Sequence, residues 1–99
     1  MARAFLAAVL ACKVSDAELR SHAVRSAKST CLNCAEGAGR VSRADKARAF
    51  AIARAECVEA AAAVEIAAAC GDCAAAPARE VHVLADRLVA MLTRLCRGA

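Results

Sequence analysis

The sequence has no tryptophan, no tyrosine, two phenylalanines, one proline and four glycines in 99 residues. Without aromatics interleaved among its cations, it lacks the stacking platform on which single-stranded nucleic acid is held. Scarce glycine and proline exclude a loop-built scaffold, and the lack of β-branched and aromatic alternation leaves no segment that reads as a strand. No glycine-rich loop cradles a phosphate, and neither histidine belongs to a Ser or Cys, His and acid constellation, so no enzyme is expected. Carboxylates are present at Glu56, Glu59 and Glu65, but the Glu-x-x-His pairs of a di-iron site are not. The same three glutamates interrupt the alanine-rich middle, so no uncharged stretch reaches the length of a membrane span.

What is abundant is alanine. It supplies 30 of the apolar residues, while Val, Ile, Leu, Met and Phe together supply 23. Alanine is the best helix former and carries little volume, so the chain reads as all-α, with a thin core between closely approaching helices. The length suits one domain, residues 1–99. A formal net charge of +4 is modest. The cations Arg40, Arg43, Lys46, Arg48 and Arg54 read as a solvated face, and neither nucleic acid nor a membrane is an expected partner.

Four helices can be marked by their ends, over about 2–13, 16–36, 43–70 and 78–97. Ser15 with Glu18 has the spacing of a capping box for the second, which Gly37 and Gly39 close. Ser42 caps the third, with Asp45 adding negative charge near its start, and Gly71-Asp72 ends it. Pro77 suits the first turn of the fourth, where Val81, Leu84, Leu88, Met91, Leu92 and Leu95 recur at three-four spacing before Arg97-Gly98. Short connections predict an antiparallel up-down four-helix bundle. The N-terminus also has the outline of a bacterial lipoprotein signal, with Val9-Leu10-Ala11-Cys12 as the cleavage box. Phe5, Val9 and Cys12 share one helical stripe, however, and a short first helix is the expectation.

Seven cysteines are the chief anomaly. Their odd number forbids complete pairing, and a helix-rich chain is unlike a disulfide scaffold, so metal or thiol chemistry in a reducing, cytoplasmic setting is the starting point. Helical spacing puts Ala27, Cys31, Cys34 and Ala38 on an inner stripe of the second helix, and Phe50, Ala53, Cys57, Ala61, Val64 and Ala68 on one of the third. His22 falls outside its stripe. Cys70 and Cys73 point to a second apolar face of the third helix, with Ile52, Ala63 and Ile66, against which the first helix is expected to pack. The third helix is about 40 Å long, which separates the thiols into two groups. Cys12, Cys70, Cys73 and His82 fall at one end, and Cys31, Cys34 and Cys96 at the other, with Cys57 somewhat deeper. The first group could supply four ligands to Zn(II), and i, i+3 thiolates suit Cu(I). A redox role for Cys70-Gly-Asp-Cys73 is disfavoured by its place at a helix C-terminus, beside Asp72.

The segment Cys31-Leu-Asn-Cys34-Ala-Glu-Gly-Ala38, a short turn, and the run Arg48-Ala-Phe-Ala-Ile-Ala-Arg-Ala-Glu56-Cys57 resemble the cysteine-rich four-helix-bundle copper-binding proteins of the storage type. The resemblance spans residues 31–73 and implies that Cys31, Cys34 and Cys57 line a lumen holding Cu(I). It departs from that family at Ala38 and Ala61, where further cysteines would stand, and in the leucine-rich fourth helix. The expected function is Cu(I) buffering or sequestration. The alternative is a helical interaction or homo-oligomerisation module whose cysteines merely fill the core.

Overall fold

Alanine-rich amphipathic segments with short connections leave the chain one good way to bury its leucines and valines, and the computed structural model, which describes residues 1–97, adopts it. Four α-helices, α1 (Ala2–Ala11), α2 (Ala17–Gly39), α3 (Arg43–Ala69) and α4 (Ala75–Cys96), form an antiparallel up-down bundle about 44 Å long. The all-α bundle is thus as expected, but the place of α1 is not. It packs on α2 and α4 and barely touches α3, so the helices form a ring in chain order. The second apolar face of α3 stays open, with Ile52 and Ile66 exposed, although Ala63 is buried. Volume decides this. Phe5, Val9 and Cys12 fill the wedge between α2 and α4, where Leu88 and Leu92 also lie in the core, whereas the open face of α3 offers mostly methyl groups. A ten-residue helix is too short to persist alone, so α1 exists because this wedge receives it.

The helix ends follow from local chemistry. Asp16, not Ser15, caps α2, its carboxylate accepting from Leu19 N at 2.8 Å. Ser15 bonds instead to Asp72 in the α3–α4 turn, through Ser15 N to Asp72 O at 3.0 Å and Ser15 Oγ to Asp72 Oδ1 at 2.9 Å. Ser42 caps α3 as expected, accepting from Asp45 N. α3 closes in a Schellman motif: Asp72 N bonds Ala67 O, Gly71 N bonds Ala68 O, and Gly71 takes φ +81°. α4 starts at Ala75, earlier than expected, because Pro77 still lies in the first turn, where no backbone donor is needed. It ends at Cys96, and Gly98 of the expected terminus lies outside the described residues.

Gly37 does not end α2 but sits inside it. A Cβ there would lie 2.5 to 2.9 Å from three ring carbons of Phe50, so glycine is what lets the ring lie flat on the helix. The inner stripe of α2 is correspondingly rotated from its expected position. Ala23, Ser26, Ala27, Thr30 and Gly37 are buried, Cys31 and Cys34 are at the margin, and Ala38 is exposed. Thr30 is tolerated in the core because its hydroxyl donates to Ser26 O at 2.9 Å.

Two contacts fix the register along the bundle axis. Arg54 Nε donates to Thr93 Oγ1 at 2.8 Å, and Cys31 Sγ donates to Ala2 O at 3.3 Å. α4 therefore ends, and α1 begins, roughly eight residues, or about 12 Å, short of the α2–α3 turn. The tips of α2 and α3 project beyond the four-helix body as a two-helix prong, held by Phe50 on Gly37.

Candidate functional site

The thiols occupy two regions. At the α1–α2 and α3–α4 turns, Cys12 is buried at the C-cap of α1 beside Cys73, whose thiol donates to Ala74 O at 3.4 Å. Burial, with the Cys73 contact second, pushes the Cys12 thiol up to about 12. Cys70 is exposed, and His82 faces Glu65 at 3.6 Å on the surface rather than the thiols. Nearer the prong, Cys57 is fully buried and pushed up to about 12 by burial, then by Cys34. Cys34 is half-buried, and its thiol is raised by burial and by neighbouring Cys31. Cys31 is raised by burial, with the N-terminus and Arg3 acting against it. Cys96 is half-buried and packs against the core. Among the described residues, no three His, Cys, Asp or Glu side chains converge to hold a metal ion. Elevated thiol pKa values also oppose the deprotonation that a thiolate site requires.

The second feature is electrostatic. The end of the bundle built from residues 1–6, 29–55 and 87–97 carries nine Lys and Arg against two Asp and Glu, and the rest of the chain carries five against eight. The net charge of +4 is therefore the sum of +7 at the basic end and −3 over the rest, and it understates the charge of that end. Within the prong, two cations are committed locally. Arg40 pairs with Glu36 at 2.7 Å, and Lys46 Nζ donates to Gly37 O and Ala38 O at 3.2 Å, capping the last turn of α2. Arg43, Arg48 and Arg94 are exposed and, among the described residues, make no hydrogen bond or ion pair. Arg43 and Arg48 stand on the prong, while Arg94 stands on the shoulder where α4 stops. Shallow concavities line this surface, the most polar being about 290 Å³ between Glu36, Arg40, Asp45, Arg48, Ala49 and Ile52. The cations of this region are legible in the sequence as a solvated face. Their concentration at one end needs the antiparallel register that brings Arg3, Arg87 and Arg94 to the same half.

No helix among the described residues is long and apolar enough to cross a membrane. No curated protein matches the chain in sequence. Residues 4–94 match the family described as 23S rRNA-intervening sequence protein, a span that takes in α2, α3, all but the outermost residues of α1 and α4, and every cysteine except Cys96. This finding overturns the resemblance to the copper-storage bundles, which rested on cysteine spacing over residues 31–73. Spacings of three and four recur on any alanine-rich helix, and two antiparallel helices reproduce them without common ancestry. A match that extends over nearly the whole chain makes the assignment: the chain belongs to the 23S rRNA-intervening sequence protein family.

Proposed function

We propose that this protein is a non-catalytic helical bundle that docks on the phosphate backbone of folded RNA through its basic end. The observation that carries the reading is the segregation of charge, nine cations against two carboxylates in the half that bears the prong. The family's description, which names a 23S rRNA intervening sequence, supports RNA over other polyanions. Arginines presented on rigid helices, without aromatics among them, suit phosphate and groove contacts on a base-paired element better than base stacking on a single strand. Metal buffering through the cysteines has weaker support, because among the described residues no three potential ligands converge on one point.

The test is fluorescence anisotropy of a labelled RNA hairpin titrated with the protein at increasing salt. With about four phosphates neutralised, affinity should fall on the order of a hundredfold between about 50 and about 200 mM monovalent salt. Affinity that is independent of salt, or no binding at about 50 mM, overturns the reading.

The exposed face of α3 favours self-association as a second property. Ile52, Ala55, Ala62 and Ile66, with exposed Glu59 at the middle of the same 3-4 register, lie on a surface that the other helices leave open, and the small side chains allow another helix to approach closely. Sedimentation at micromolar concentration should show an oligomer that Ile66→Glu converts to monomer. A monomeric wild-type protein overturns this reading.

A further inference from the structure

The two turns at the acidic end of the bundle are brought together by elements far apart in sequence. Ser15 of the α1–α2 turn and Asp72 of the α3–α4 turn share a backbone bond and a side-chain bond. One residue beyond Asp72 stands Cys73, half-buried against the same core cluster that holds buried Cys12, three residues before Ser15, so the bonded turns bring the two thiols to neighbouring positions. Cys12 is the C-cap of α1, the shortest of the four helices. No other pair of cysteines links α1 to the far side of the fold.

We propose that Cys12 and Cys73 are a modification site, an oxidisable pair that a hydroperoxide converts to a disulfide fastening α1 to the α3–α4 turn. The better-exposed Cys73 reacts first. Its sulfur attacks the peroxide, the O–O bond breaks, and a sulfenic acid forms with release of water or alcohol. The Cys12 sulfur then displaces the hydroxyl as the S–S bond forms, and the Cys12 proton leaves with that hydroxyl as water. Two thiols are oxidised by two electrons and the peroxide is reduced by two. Burial keeps Cys12 from reacting with the oxidant itself, which makes it the resolving partner. Cys70, at the C-cap of α3, is exposed rather than packed on the core cluster that holds Cys12 and Cys73, and is not part of the proposed bond. The site is at the end opposite the basic prong and leaves that surface open.

The test treats the reduced protein with about one equivalent of hydrogen peroxide, blocks remaining thiols with N-ethylmaleimide, and maps linked peptides by mass spectrometry beside a thermal melt. The expected product is an intramolecular Cys12–Cys73 link with a melting temperature raised on the order of 10 °C, since the bond closes a long loop of the unfolded chain. Cys73→Ser should abolish both the link and the shift, and Cys70→Ser should preserve both. A dominant Cys70–Cys73 or Cys31–Cys34 link overturns the proposal. So does overoxidation of Cys73 without a link, or a Cys12–Cys73 link that leaves the melting temperature unchanged.

Discussion

Phe5→Ala should lower the unfolding free energy by about 3–5 kcal/mol and the melting temperature by on the order of 20 °C. Phe5 is completely buried and is one of two aromatic residues in a core otherwise made of alanine, valine and leucine. Large apolar side chains are few, so neighbours cannot easily close the cavity, and the loss falls toward the upper end of the usual range. The helix that carries Phe5 depends on that ring for its docking between α2 and α4. A domain of this size has total stability of about 5–10 kcal/mol, so a fraction of the variant would be unfolded at 37 °C. Urea denaturation followed by circular dichroism measures it, with Leu32→Ala as the control. Leu32 is 71% exposed, and its truncation should change stability by no more than about 0.5 kcal/mol. A loss below about 1 kcal/mol for Phe5→Ala would mean that α1 does not contribute to the core as described.

The helices and most of their ends are legible in the sequence because their causes are local. Ser42, Gly71 and Pro77 each act within one turn, and each performs the expected role. The misreadings arise where a residue has a distant partner. Ser15 has the spacing of a capping box, yet Asp72, 57 residues away, takes its hydroxyl and leaves Asp16 to cap α2. Gly37 has the look of a helix terminator, yet Phe50 requires it inside the helix. The α2 stripe is misplaced because alanine marks core and surface alike. With Ser26 and Thr30 buried and Ala35 and Ala38 exposed, hydrophobicity alone points to the wrong side of the helix. Tertiary packing also decides which face of α3 is covered, and it favours the wedge that can accept Phe5.

The candidate sites divide in the same way. The nearness of Cys12 to Cys73 follows from antiparallel topology and is foreseen from it, whereas His82, about two turns into α4, faces Glu65 instead. Cysteine spacing proves a poor guide to ancestry, because two helices packed through alanines generate the same intervals by geometry. Net charge proves a poor guide to electrostatics, because summing over the chain cancels a basic end against an acidic one. That segregation is written in the sequence, but it becomes readable once residues 1–6, 29–55 and 87–97 are known to share one end.

Reversing three arginines at that end separates local charge from total charge. The triple variant Arg43→Glu, Arg48→Glu, Arg94→Glu should bind an RNA hairpin on the order of a hundredfold more weakly at about 100 mM salt, with the salt dependence flattened by about one logarithmic unit for each phosphate no longer neutralised. All three side chains are exposed and, among the described residues, unbonded, so the fold should be retained and circular dichroism should be unchanged. The control reverses Lys13, Arg25 and Arg79, which lie in the other half. Both variants carry the same net charge. Attraction that depended on total charge alone would weaken equally in the two, whereas docking through the prong and shoulder should leave the control within about threefold of the parent, because charges beyond a Debye length of about 10 Å are screened. Equal losses would overturn the assignment of the basic end as the interface, and unchanged binding by the first variant would overturn phosphate recognition there altogether.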